Sequence, residues 1–197
     1  KSHVTPLFWR LSLVGNLLLA LHSLIQVQVH ISLAQICNAV FSWRNHNLMQ
    51  DKNQHYSKNS VYKLLFIAIL TVLGLFILQA QFLYGHFDWV RTPTMPWSSG
   101  PVEKLSLSWH ILGSIGISLF AARFWVQWWF AEQSRDSKLG PSFWWLSIVG
   151  SFVSLIYFIR MRDLVNIVGQ GMSIIPAIRN LQLIHSVNNR TEKMRQE

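Results

Sequence analysis

Between residues 64 and 84 the chain reads LLFIAILTVLGLFILQAQFLY, 21 residues without a charge. A bilayer core about 30 Å thick needs ~20 mostly apolar residues in a helix to cross it, and a lipid-embedded backbone must satisfy its own hydrogen bonds. This block therefore commits the chain to an all-α, membrane-embedded architecture. Composition agrees: 51% of the 197 residues are hydrophobic and 13% are charged, against about 25% charged in ordinary soluble domains.

Six spans are predicted, at about 8–26, 30–45, 61–84, 107–130, 142–159 and 164–184. The second, fifth and sixth are short or carry polar residues and need protein neighbours on at least one face. The first and second spans, and the fifth and sixth, are separated by only a few residues, so each pair is an antiparallel hairpin. The longest connection, 85–104, holds Pro93, Pro96, Gly100 and Pro101 and reads as an irregular loop.

The net charge of +9 does not indicate nucleic acid. The cations fall between apolar spans, and no basic stripe interleaves with stacking aromatics. Alternating the spans across a membrane places thirteen Lys and Arg on one side and four on the other (Arg91, Lys104, Arg160 and Arg162). The positive-inside rule then puts the C-terminal end in the cytoplasm. One cysteine, Cys37, excludes an internal disulfide and a cysteine-based zinc site. The eight His lack metal-ligand spacing, no acid pair reads as general acid and base, and no glycine-rich phosphate loop is present. The sequence itself therefore predicts no catalytic residue, no metal and no cofactor.

FWRLSLVGN at Phe8 returns as FWWLSIVGS at Phe143. At an offset of 135 the chain aligns with itself from Phe8 to Met49 without a gap, and Pro6, Trp9, Gly15, Gln35, Arg44 and Asn45 meet Pro141, Trp144, Gly150, Gln170, Arg179 and Asn180. Chance similarity between apolar helices exchanges Leu, Val and Ile; it does not hold Pro, Trp, Gly, Gln, Arg and Asn in one register. The expected organisation is a first repeat at 1–49, a linker span with its loops at 50–104, a second repeat at 105–185 and a cytoplasmic tail at 186–197. The fourth span has no counterpart ahead of the first, so a helix upstream is expected. Three spans, a linker span and three spans would place the repeats parallel about an axis along the membrane normal, an arrangement used by transporters.

Each candidate site residue has two readings at this point. Gln35 and Gln170 sit mid-span, as interhelical hydrogen-bonding groups or as contacts for a solute or headgroup. Arg44-Asn45 and Arg179-Asn180 end their spans, where arginine complements a helix dipole or grips a lipid phosphate, and asparagine caps the helix or meets a sugar. Arg123, with Gln127 one turn later, either snorkels to the surface beside Trp125, Trp128 and Trp129 or points into a polar cavity. Gly15 and Gly150 allow close helix packing, and Trp9 and Trp144 pack beside them.

Residues 121–184 resemble the lipid-A-disaccharide synthase N-terminal domain, a three-helix membrane module. The resemblance rests on ARFWVQWWFAEQ, Ser137, Pro141, FWWLSIVGS, RMRDLVNIVGQG and IRNLQLI. Residues 1–49 resemble the same module with its front missing. The resemblance implies a SWEET-like bundle, and a membrane partner that is an acylated glucosamine lipid on the path to lipid A. It also implies a glycosyltransferase domain following the bundle, similar to the arrangement in chlamydia-like bacteria, at a bacterial inner membrane. A SWEET-like sugar carrier and an inert anchor are the alternatives. The chain departs from the family pattern in having Ala131 before Glu132, Leu164 after Asp163, Ile178 before Arg179, and Gln28 where the second copy has Asp163.

Overall fold

A computed structural model describes residues 5–84, 105–134 and 139–196, with the side chains of 52, 83, 84, 134 and 187–196 set aside. The 85–104 loop and Lys1, Arg91, Lys104, Arg135 and Lys138 lie outside the described residues.

Six helices follow in order: α1 (Pro6–Ile25), α2 (Val29–Leu48), α3 (Lys58–Gln79), α4 (Leu107–Ser134), α5 (Pro141–Met161) and α6 (Leu164–Gln196). A single 3₁₀ turn, Lys52–Gln54, precedes α3, and a π-helical turn, Ala80–Tyr84, extends it. Among the described residues there is no β-strand. By length and composition α1, α3 with its extension, α4 and α5 can each cross a membrane. The fifth helix thus needs no neighbour to be apolar enough, whereas α2 and α6 do not qualify alone among the described residues. α6 also runs on through 186–196, within the stretch expected as a tail. Nothing in HSVNNRTEKMRQ stops a helix: it has neither Gly nor Pro, and its Arg, Glu, Lys, Met and Gln favour helix.

α1 packs along α2, α4 along α5, and α5 along α6, while α2 also meets α3 and α4. The polar α2 is the most enclosed helix, with Ser32, Gln35, Asn38, Ser42, Arg44, Asn45 and Asn47 all buried. α3, the most apolar, buries only Val61, Val72 and Phe76 of its own 22 residues. A membrane explains this inversion. Apolar side chains are content against lipid, and polar ones must be enclosed by protein.

Equivalent positions share local structure. Pro6 and Pro141 both open their helices, where a missing N–H costs nothing. Both hairpins turn on a non-glycine residue in the left-handed region, Val27 at φ 58° and Arg162 at φ 57°, again 135 apart. Each turn is a Schellman motif. Gln28 N–H donates to Ser23 O at 2.8 Å and Asp163 N–H to Phe158 O at 3.0 Å.

The glycines separate the copies. A Cβ on Gly150 would lie 2.4 Å from the Phe120 backbone nitrogen, so α4 and α5 touch through it. Gly15 has no atom of the described residues within 4 Å of that position.

Candidate functional site

α1, α4, α5 and α6 line a half-open cavity of about 480 Å³, within the range typical of small-ligand sites, ~300–1,000 Å³. Phe8 and Ser12 of α1 and their repeat equivalents Phe143 and Ser147 of α5 all line it. It therefore sits where the two copies meet. Ser173, Pro176 and Asn180 of α6 and Trp144 complete much of the wall.

Arg123 is its cation. The α-helical path of α4 carries it beside Phe120 and Phe124, and its guanidinium carbon lies 3.5 Å from the centre of the Phe120 ring, 4.7 Å from that of Phe124 and 5.5 Å from that of Phe143. Its Nη1 donates to Ser147 Oγ at 3.2 Å. Its Nε has no hydrogen-bond partner in the protein, and no carboxylate among the described residues pairs with it. Aromatic faces favour the cation without neutralising it. An arginine within a span normally finds a charge or a polar cavity; here it finds the cavity and keeps an unused donor.

The structure places three of the sequence candidates on this cavity: Arg123, Trp144 and Asn180. Asn180 Nδ2 donates to Pro176 O at 2.7 Å, as Asn45 Nδ2 does to Phe41 O at 2.9 Å. Each asparagine thus bonds back to the carbonyl one turn earlier in its own helix, at equivalent places. Trp9 and Trp144 each sit 5.0 Å edge-on to the preceding Phe, and both indole N–H groups are buried without a partner. Gln127, Gln35 and Gln170 are buried elsewhere in the bundle.

Arg44 overturns the phosphate-gripping expectation for its position. It is buried, with Nε donating to Glu132 Oε1 at 2.6 Å and Nη1 donating to Asn47 Oδ1 at 3.1 Å and Tyr56 O at 2.8 Å. Trp128 and Lys58 also face Glu132. The guanidinium is spent tying α2 to α4 and to the start of α3. Arg179, its equivalent, is exposed. Trp128 likewise stacks on Phe41 in the core, leaving Trp125 and Trp129 to face outward.

Sequence reasoning missed a second polar cluster at the far hairpins. Asp163 is buried and accepts from His22 Nε2 at 3.3 Å, Gln28 Nε2 at 3.1 Å, Asn166 Nδ2 at 2.8 Å and the Asn166 backbone N–H at 3.2 Å. Burial pushes its carboxyl up, but the hydrogen bonds from His22, Asn166 and Gln28 outweigh this and hold it below its usual value. The signal was available: Gln28 and Asp163 align at the repeat offset.

The family described as Lipid A Biosynthesis N-terminal domain matches residues 1–47 and 112–182, more than half of the chain, and the two matches end 135 residues apart. The chain belongs to the lipid A biosynthesis N-terminal domain family. Curated relatives of this domain include the lipid-A-disaccharide synthase of Chlamydia caviae, 33% identical over 93% of this chain and 29% of the relative. The synthase of Chlamydia felis is 33% identical over 94% of this chain and 29% of its own length. That of Chlamydia trachomatis serovar D is 32% identical over 92% and 29%. The chain thus spans about 29% of the length of these relatives. No solved structure matches.

Proposed function

We propose that this chain is the membrane part of a lipid-A-disaccharide synthase, and that its cavity holds the anionic headgroup of an acylated glucosamine lipid for a glycosyltransferase domain. The observation that carries this reading is Arg123, a cation without a carboxylate partner among the described residues, facing a mostly apolar cavity with Ser12, Ser147 and Asn180 on its wall. A guanidinium fork suits a phosphate, hydroxyl and amide groups suit a sugar, and the aromatic walls suit the first methylenes of acyl chains. The excess of Lys and Arg at this end supports a position at the cytoplasmic face of a bacterial inner membrane, where a water-soluble nucleotide-sugar donor is available. The names of the relatives supply the reaction.

The test is native mass spectrometry of the purified membrane protein in nanodiscs with a phosphorylated acylated-glucosamine lipid. Wild type should retain the lipid, Arg123→Gln should lose it, and Arg123→Lys should retain part. Equal retention by Arg123→Gln and wild type overturns the reading.

A second reading, a solute carrier rocking between repeats, is favoured by the paired lining Phe8/Phe143 and Ser12/Ser147. Uptake of labelled sugars into vesicles, sensitive to substitution of Gln35 and Gln170, would support it, and no uptake across a sugar panel would count against it.

A further inference from the structure

Helix on helix, the α1–α2 and α5–α6 hairpins hardly pack; α2 and α4 join the two copies. The tips of the hairpins meet all the same, and they meet through side chains. Asp163, at the α5–α6 tip, accepts from His22 Nε2 at 3.3 Å and from Gln28 Nε2 at 3.1 Å, both belonging to the α1–α2 hairpin. Next to this bridge the His30 ring of α2 lies edge-on to Tyr157 of α5, with 6.3 Å between ring centres, and Ile31 packs with Tyr157, Phe158 and Met161. Val27, Gln28, Tyr157, Phe158, Met161 and Asp163 are none of them more than 4% exposed.

The Arg123 cavity lies towards the other end of the bundle. Phe8 and Ser12 line it, and at 1.5 Å per helical residue they stand roughly 20–30 Å along α1 from the tip at Val27. One end of the boundary between the copies is therefore hollow and the other is filled.

The filling is chemically unlike a permanent contact. Ser23, Gln28 and Asn166 are at most 1% exposed, yet Ser23 Oγ, Gln28 Oε1 and Asn166 Oδ1 have no partner in the protein. These groups share one place. The amide nitrogens of Gln28 and Asn166 both donate to Asp163 Oδ2, and the Gln28 backbone N–H donates to the Ser23 carbonyl. An unpaired buried acceptor bears its full desolvation cost, and water removes that cost once the tips part. Apolar side chains at the same positions would only lose by parting.

We propose that His22, Gln28 and Asp163 form a latch that shuts the hairpin end of the boundary between the copies, and that releasing it opens a water-filled entrance to the Arg123 cavity from that end. The latch governs access to the cavity of the proposed function, whatever its guest. Thiol labelling reads it with no lipid ligand added, so the latch and the lipid reading fail separately.

The test is labelling in proteoliposomes by a membrane-impermeant methanethiosulfonate added at the hairpin face, in a Cys37→Ala background. Ser173→Cys, on the cavity wall, is the reporter. Arg162→Cys, at the exposed tip, shows that the reagent reaches that face. With the latch intact the tip thiol should be modified and the cavity thiol protected. In Asp163→Ala, and in His22→Ala/Gln28→Ala, which leaves Asp163 to cap α6, modification of the cavity thiol should rise by about 10-fold or more, the order for losing a hydrogen bond to a charged group. A tie that is structural alone would lower the melting temperatures of these variants without admitting reagent. Protection that persists in both variants overturns the proposal, as does a cavity thiol modified as fast as the tip thiol with the latch intact.

Discussion

Gln28 Nε2 donates a hydrogen bond to Asp163 Oδ2 at 3.1 Å, and the two residues are 135 positions apart. That is the offset at which the chain aligns with itself, so each is bonded to its own counterpart in the other copy. Residues related in this way meet only where the copies face one another. An acid at both places would set two carboxylates against each other in a buried site. Glutamine at 28 converts that repulsion into a donor–acceptor pair, a physical reason for the departure of the first copy from the second.

Asp163→Ala should therefore lower stability by about 3 kcal/mol, the order for removing one member of a buried charged hydrogen-bond network. The pH dependence has a definite sign. A carboxyl whose folded-state pKa is depressed stabilises the fold above its unfolded value near 3.8 and loses that contribution as pH falls through the lower folded value. Thermal melts from pH 6 downward should show wild type losing stability below about pH 4, with the loss diminished in Asp163→Asn.

Gly150→Ala should cost about 1–3 kcal/mol, because the new methyl overlaps the Phe120 backbone. Gly15→Ala should be neutral or stabilise by ~0.5–1 kcal/mol through helix propensity alone, since its site is open. Melting temperatures of the two variants, measured side by side, check the contrast.

Arg44→Ala should destabilise by about 3–5 kcal/mol, leaving the buried Glu132 uncompensated. Arg179→Ala, at the exposed equivalent position, should stay within about 0.5 kcal/mol of wild type. Denaturation of the reconstituted protein distinguishes them, and comparable losses would contradict the assignment of Arg44 to the α2–α4 tie.

Arg162→Gly should stabilise the protein by about 0.5–1 kcal/mol, because the left-handed turn then carries no Cβ strain on an exposed residue. Val27→Gly relieves the same strain but forfeits a buried side chain packed near Phe76. Its melting temperature should change less, or fall.

The duplication was readable because the matching residues were chemically unlike one another: proline, tryptophan, glutamine and arginine cannot be exchanged by apolar drift. The same alignment misled wherever the surroundings of the copies differ. Arg44 and Arg179 look alike in sequence, yet only Arg44 has the end of α4 beside it, with Glu132 to receive it. Periodicity and span order give no register between helices far apart in the chain, so that pair could not be foreseen. The Arg123 cavity was half legible. A cation inside an apolar run signalled an interior role, but its aromatic surroundings and the serine of a neighbouring helix depend on how α4 and α5 interlock. The end of α6 was missed because hydropathy marks where a span leaves lipid, not where a helix stops.

Two matching walls and one cation have a consequence for whatever enters between them. Phe8 and Ser12 mirror Phe143 and Ser147, so the walls alone would receive a guest equally well either way round. Among the described residues that line it, Arg123 is the one cation, and it lies beside Phe143 and Ser147 rather than beside Phe8 and Ser12. A guest with a charged end therefore has one favoured heading, and its opposite end is always presented in the same direction.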